Sequence, residues 1–417
     1  MKTQREYIQA VITKKGTRWV QGGHPWIYDA EVLRFCRGEE DVDPAAIENG
    51  GIVDAVSENG RYLGSGFISH KSKIRIRLVS RNANDRFGAD FWRRRIRYAL
   101  DYRKTVMKED YACCRLIFGE SDGFPGLTVD RFNDLLSVQI LSVGIERIRD
   151  LLLPMLYEEL LSDGAAIRGI FLRNDVAIRA LEGLPQEKGW YALPGVPQPE
   201  AALTEIVENG IRYTVDVENG QKTGFFLDQK YNRRAIRRIA EGRRVLDCFT
   251  HTGSFALNAA AAGAEKVTAV DISASAIAMA RENAEKNGLE GRMEFVTADV
   301  FDLLRDLLSK KERPYDFIIL DPPAFTKSRK TVGNASKGYK EINLAAMRIL
   351  PRGGYLATAS CSHFMDHARF EEMLRESAAE AGVQLKQIEV RQAAFDHPVL
   401  WNVPETDYLK FYLFQII

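Results

Sequence analysis

Four aspartates in the second half of this 417-residue chain each close a short apolar run. Asp247 lies in Val245-Leu246-Asp247-Cys248-Phe249, Asp271 follows Lys266–Val270, Asp299 follows Phe295–Thr297, and Asp321 follows Tyr315–Leu320. Stretches of helical character, such as the alanine-rich Phe255–Ala262, separate these runs. Alternating strand and helix implies a parallel sheet covered by helices. Such sheets take their ligands beyond the carboxyl ends of the strands. A further apolar run, Gly354–Ala359, delivers Ser360-Cys361-Ser362 to the same edge. An acid, Asp321, and a thiol, Cys361, are therefore expected to meet in one cleft, a pairing suited to an enzyme that acts on a nucleic-acid base.

The turn Thr250-His251-Thr252-Gly253-Ser254 leads into a helix whose N-terminal N–H groups face a carboxylate or phosphate, with Gly253 permitting close backbone approach. Asp271 is placed to accept bonds from ribose hydroxyls, and Asp299 suits an exocyclic amine. The first turn is not G-x-G-x-x-G, which argues against a dinucleotide and its pyrophosphate. S-adenosylmethionine is the better occupant. A single strand-end aspartate can also be only a helix cap; four in register argue for a ligand.

A chain of this length exceeds one core, so two or three domains are expected. The expected division is 1–78, a small all-β module; 79–193, an α+β middle domain; and 194–417, the α/β domain. β-like runs at Ala10–Ile12, Gly51–Val56, Tyr62–Ile68 and Ile74–Val79 mark the first, with a hairpin signal at Asn59-Gly60. The middle is expected to hold helices at Asp90–Met107 and Ile145–Leu161 and strands at Gly126–Asp130, Leu135–Leu141, Gly169–Arg173 and Ala177–Ala180. The connector is the Pro/Gly-rich Leu193–Pro199.

The longest apolar run, Leu151–Leu156, is too short to cross a bilayer, and nothing of signal-peptide length follows Met1. Five cysteines, at 36, 113, 114, 248 and 361, show no metal-ligand spacing and no disulfide ladder. No metal is expected, and a reduced cytoplasm fits best.

The net charge of +1 hides an asymmetry, because residues 71–108 carry 13 lysines and arginines against Asp85, Asp90 and Asp101. Lys71, Lys73, Arg75 and Arg77 alternate, which places them on one strand face beside the cluster Arg93-Arg94-Arg95-Ile96-Arg97. A polyanion footprint and a solvated face with acidic neighbours explain this equally well. After Asp321, the stretch Thr326–Lys340 holds Lys327, Arg329, Lys330, Lys337 and Lys340 and no acid. At the lip of a base-modifying cleft it is placed to hold phosphates; elsewhere it is plain surface. Arg233, Arg234, Arg237 and Arg238 are a further candidate extension of the path.

At these residues the chain resembles class I S-adenosylmethionine-dependent methyltransferases. More closely it resembles the bacterial and archaeal 23S rRNA cytosine-5 methyltransferases that carry an N-terminal PUA domain. Lys14-Lys15-Gly16 through Gly23-His24-Pro25-Trp26, Gly119–Leu127, Gly220–Gln229, Asp396-His397-Pro398 and Tyr408-Leu409-Lys410 carry the likeness over nearly the whole length. The resemblance implies a Rossmann-like sheet after a PUA-like and an α+β domain. It implies S-adenosylmethionine as methyl donor, held by Asp247, Phe249, Thr250, Gly253, Ser254, Asp271, Ile272, Asp299, Val300, Phe225 and Gln229. It implies 23S ribosomal RNA as partner, met by Pro322, Pro323, Phe325 and the basic residues above. A dimer surface on the first two domains stays open.

Cytosine-5 chemistry explains why both residues are needed. Carbon 5 of cytosine is a poor nucleophile until a thiolate adds at carbon 6, and Cys361 is the residue type that ionises and leaves readily. Asp321, aimed by two prolines of fixed φ, would contact the N3/N4 edge, and Phe325 would stack on the extruded base. Many RNA cytosine-5 enzymes place a second cysteine three residues after the aspartate; here Ala324 stands there. His363 and His397 are weak substitutes for it, and Cys248, Cys113 and Cys114 read as core. Three functions stay open: a cytosine-5 methyltransferase, an exocyclic-amine or guanine-N7 methyltransferase that needs no thiol, and a non-catalytic RNA-binding assembly factor.

Overall fold

The computed structural model describes residues 6–325 and 332–417, with the side chains of 332–335 outside the description. The chain forms two compact units, one of residues 1–205, 215–225 and 395–406, the other of 206–214, 226–394 and 407–417. The expected all-β and middle domains therefore share one unit. The chain also returns to it with Asp396-His397-Pro398, where Asp396 accepts the Arg115 N–H and Arg103 donates to the Asp396 carbonyl.

Among the described residues, two sheets lie wholly within the first unit. Seven strands make one, with Gln9–Ile12 parallel to Ile52–Ser57 and antiparallel to Val32–Arg37. The hairpin expected at Asn59-Gly60 joins Ile52–Ser57 to Tyr62–Ile68, and Gly60 takes the left-handed φ of +73° that the turn requires. The other sheet has five strands, Cys113–Phe118, Leu127–Phe132, Leu135–Ile140, Gly169–Arg173 and Lys188–Trp190, with the helices Ala89–Met107 and Arg149–Ser162. Cys113 and Cys114 are buried in the first of these strands, as core residues. The strand expected at Ala177–Ala180 is instead a 3-10 helix, Ala177–Glu182, ended by left-handed Gly183. Arg179 is wholly buried there and donates to the Pro185 carbonyl, so local polar bonding overrides the apolar pattern.

In the second unit seven strands are β1 Arg244–Cys248, β2 Lys266–Asp271, β3 Met293–Thr297, β4 Phe317–Leu320, β5 Tyr355–Ser360, β6 Leu385–Arg391 and β7 Lys410–Ile416. The order across the sheet is β3-β2-β1-β4-β5-β7-β6, with β7 antiparallel to both neighbours and the first five strands parallel. The helices are α1 Lys230–Ala240, α2 Ser254–Ala261, α3 Ala274–Lys286, α4 Val300–Lys310, α5 Val332–Ile349 and α6 His367–Ala381. Both sheet faces are covered. Leu246, Cys248, Ile318, Leu320 and Leu356 point into one core; Val245, Phe317, Ile319 and Ala357 point into the other. Burial on both faces is why these strands read as unbroken apolar runs rather than alternating ones. Cys248 is core, as its position in the run implied. The strand order reverses between β1 and β4, and it is at such a reversal, beyond the carboxyl ends, that sheets of this kind form the crevice for a ligand.

Candidate active site

The crevice is framed by register. Cys248 of β1 pairs with Leu320 of β4, and Leu320 pairs with Thr358 of β5. Asp321 and Cys361 therefore leave the same edge of the sheet from adjacent parallel strands, with Cys361 two residues further along the register. Cys361 Sγ lies 3.9 Å from the carbonyl oxygen of Pro322, so the thiol rests on the Asp-Pro-Pro turn. Pro322 is buried and Pro323 exposed. Asp321 is half-buried, and Gln229 Nε2 donates to its Oδ1 at 2.8 Å. Gln229 is itself held: its Oε1 accepts from Asn232 Nδ2 at 2.7 Å, and Asn232 Oδ1 accepts from Arg391 Nε at 3.0 Å. Arg391 ends β6, so a chain of amides fixes the rotation of the Asp321 carboxyl from the far edge of the sheet.

The loop after β1 is strained. Phe249 and His251, neither of them glycine, have φ of +63° and +51°, and Gly253 has φ of +81°. Non-glycine residues in this region cost on the order of 1–3 kcal/mol each and are kept where surrounding contacts hold them. Those contacts are present: Thr250 N–H donates to the Val270 carbonyl, His251 N–H to Asp271 Oδ2, and Thr250 Oγ1 to Asp247 Oδ2 at 2.5 Å. The close approach that Gly253 permits is seen here toward a neighbouring helix. The glycine caps α2 in a left-handed conformation, and a Cβ there would meet Ala280 of α3 at 3.0 Å.

The other acids divide. Asp271 accepts from His251 N–H and Ser273 N–H, one on each oxygen, at 2.9 Å. Asp299 is the N-cap of α4, accepting from Phe301 and Asp302 N–H. Capping therefore accounts for the Asp299 bonds seen here, against the expectation that the set as a whole would not be caps. Val300, the next residue, sends its side chain into the core. Ile272, beside Asp271, is 71 % exposed, an unusual position for an isoleucine and consistent with a wall of a binding site. Ser254 begins α2 and is buried, its carbonyl accepting from Asn258. Asp247 is wholly buried: Oδ2 accepts from Thr250 and from Ala256 N–H, while Oδ1 has no partner among the described residues. Burial pushes this carboxyl up to about 7.

Several expected substrate contacts are placed elsewhere. Phe325 packs among Phe249, Phe301 and Tyr339, with its ring centroid 4.7 Å from that of Tyr339, so it is committed to an aromatic cluster rather than presented for stacking. Arg233 is buried against Glu208 in a two-pronged ion pair at 2.6 and 2.8 Å, and Arg237 donates to the Asn209 carbonyl. Lys327, Arg329 and Lys330 lie outside the described residues. Phe225 is a buried member of the first unit. So is His397, whose Nδ1 lies 2.8 Å from Asp396 Oδ1. Arg75 and Arg77 in that unit are also engaged. Arg75 bonds Asp29 and the Ser69 carbonyl, and Arg77 bonds Glu182 and lies over the Trp26 ring. Lys71 and Lys73 precede the strand Ile74–Ser80 rather than alternating along it, and both are exposed. The cluster Arg93, Arg94 and Arg97 is met by Glu158, Asp85 and Glu159.

Comparison with known proteins decides the family. Residues 193–414 match the model of the S-adenosylmethionine-dependent methyltransferases, and residues 10–81 match a PUA-like domain. Ribosomal RNA large subunit methyltransferase I of Aeromonas salmonicida is 39% identical over 392 residues, 93% of this chain and 94% of that protein. The enzyme of the same name from Klebsiella pneumoniae is 37% identical over 410 residues, 98% of each. The chain belongs to the ribosomal RNA large subunit methyltransferase I family.

It is an S-adenosylmethionine-dependent methyltransferase. The fold is shared with a solved methyltransferase complexed with SAH, at a TM-score of 0.79 and 21% identity over 98% of this chain and 99% of that one. A methyltransferase from Streptococcus mutans gives 0.78 at 22% identity over the same shares. The residues of the crevice fit the methyl donor, whose polar rim offers an ammonium, ribose hydroxyls and an adenine amine. The partnerless buried oxygen of Asp247 asks for a donor, and Asp271 keeps acceptor lone pairs beyond its two backbone bonds. Asp247 and Asp271 would hold the donor, with Ile272 against it. Sequence reasoning did not anticipate the amide chain through Asn232 and Arg391, because neither residue lies in a strand-end motif.

Proposed function

We propose that this methyltransferase modifies carbon 5 of a cytosine in 23S ribosomal RNA, through covalent catalysis by Cys361. The observation that carries the reading is the meeting of the Cys361 thiol with the Asp321-Pro322-Pro323 turn on adjacent strand ends. The relatives' names supply the substrate class: they are ribosomal RNA large subunit enzymes. The PUA-like domain supports an RNA partner, and a reduced cytoplasm suits a catalytic thiol.

The Cys361 thiolate adds to carbon 6 of the base. The electron pair of the 5,6 double bond becomes available at carbon 5, while Asp321 hydrogen-bonds the N3/N4 edge and Gln229 holds its carboxyl in one rotation. The bound donor supplies an electrophilic methyl group. Loss of the carbon 5 proton then expels the thiolate and restores the double bond. Ala324 offers no group for that proton, so water or another base takes it. Asp-Pro-Pro-Ala-Phe alone would serve methylation of an exocyclic amine or of guanine N7, but that chemistry has no use for a thiol resting on the turn.

The decisive experiment incubates the protein and S-adenosylmethionine with RNA containing 5-fluorocytosine. A covalent protein–RNA complex that maps to Cys361 is expected. Its absence, with full methylation of unmodified RNA by Cys361→Ala, would overturn the reading.

A further inference from the structure

Lys410 is the first residue of β7 and pairs across the sheet with Ser360, the last residue of β5 and the neighbour of Cys361. Its side chain is wholly buried. The ammonium donates to the carbonyl of Ser362 at 2.6 Å and to that of Tyr408 at 2.8 Å, so it straddles the turn that carries the thiol. Both acceptors are neutral. Among the described residues Lys410 makes no ion pair with a carboxylate, although a buried ammonium ordinarily requires one. Burial pushes its pKa down to about 8, and the strongest opposing charge is that of Cys361, ahead of Asp407 and Asp366. Asp407 is shared with His367, at 3.3 Å, and with Gln392. Asp366 is exposed and caps α6. Tyr339 also faces Cys361, but burial pushes its phenol up, so it adds no charge near neutrality. The anion best matched to this ammonium is the Cys361 thiolate.

We propose that Lys410 is the positioning residue of the nucleophile: its ammonium pins the Cys361-Ser362 turn through the Ser362 carbonyl and stands as the buried counter-charge of the Cys361 thiolate. The proposal rests on the reading of Cys361 as nucleophile for its purpose, but not for its test. On deprotonation the thiol proton leaves to solvent, Lys410 keeps its own, and a thiolate–ammonium pair replaces a lone buried cation. The same charge lowers the cost of expelling the thiolate when the adduct resolves, which bears on how a chain with Ala324 in place of a second cysteine completes the cycle.

The test is the pH dependence of iodoacetamide alkylation at Cys361 in the full-length protein, read by peptide mass spectrometry; the other four cysteines are buried. Wild type is expected to inflect below the value of about 8.5 for a simple thiol. K410Q keeps donors for the two carbonyls and removes the charge. It is expected to move the inflection up by one unit or more, which lowers the thiolate fraction at pH 7 about tenfold; K410R is expected to restore it. In methyl-transfer assays K410Q should lower kcat with KM for RNA unchanged. An inflection in folded K410Q equal to that of wild type would overturn the proposal. So would a wild-type inflection at or above that of a simple thiol, which needs no variant to fold. A merely structural lysine would lower the melting temperature of K410Q without moving the inflection, and that outcome also overturns it. Failure of the nucleophile reading is separate: it shows as methylation retained by Cys361→Ala and leaves the alkylation shift intact.

Discussion

In the first unit, Arg75 faces Asp29, Arg77 faces Glu182, and Arg93 and Arg97 share Glu159. At the carboxyl edge of the sheet in the second unit, Asp247 keeps a buried oxygen without a partner among the described residues, and Lys410 is buried against carbonyls. In the first region these charges are paired with one another; in the second, Asp247 and Lys410 meet no opposite charge in an ion pair among the described residues. A run of basic residues in sequence is therefore a poor guide to where an anion binds, because acids from distant segments neutralise it. Unmatched buried groups are the better guide, since each carries a desolvation cost that a ligand can relieve.

The comparison breaks first at Cys361. Cys361→Ala should lower methyl transfer on the order of a thousandfold or more, as removal of a covalent nucleophile does, with RNA affinity by filter binding unchanged. Next, Gln229→Leu releases the Asp321 carboxyl and should lower kcat ten- to a hundredfold, roughly the effect of misplacing a catalytic group by about 1 Å. Steady-state kinetics should show KM for S-adenosylmethionine altered less than kcat. If kcat is unaffected, the amide chain through Asn232 and Arg391 is merely structural.

The unmatched acid has a pH signature. The Asp247 carboxyl is pushed up to about 7 in the folded protein, so the fold favours its protonated form. Its contribution to stability is fully present below the unfolded value of about 3.9 and is lost as pH rises through about 7. Denaturant titrations from pH 4 to 8 should show wild type losing stability relative to Asp247→Asn across that window. A constant difference would mean that the carboxyl is ionised throughout.

The smallest effect belongs to the matched region. Arg75→Gln breaks a half-exposed pair with Asp29 and should cost about 0–1 kcal/mol, with the salt dependence of RNA binding unchanged. Lys71→Gln and Lys73→Gln should each reduce the slope of log affinity against log salt by roughly 1 if they touch phosphates. An equal fall for Arg75→Gln would show that the ion pair opens for RNA.

Much of the catalytic sheet was legible because its strands are buried on both faces. Continuous apolar runs ending in Asp247, Asp271, Asp321 and Ser360-Cys361 can be read without knowing any partner. The 3-10 helix at Ala177–Glu182 was not legible, since a short apolar run fits either state until the buried Arg179 commits it. Nor was the surrounding of Phe325, whose neighbours Phe249 and Tyr339 come from other strands and helices.

The sequence by itself determined the strand–helix alternation, the acid and thiol at the strand ends and the family resemblance, because each depends on residues close together in the chain. Only the tertiary structure decided which charges remain unmatched. Arg77 finds Glu182, Arg233 finds Glu208, and Lys410 finds the turn of Cys361 through pairings that span from 25 to 105 positions. Electrostatic free energy depends on distance and burial in space, and neither is written in the order of the residues.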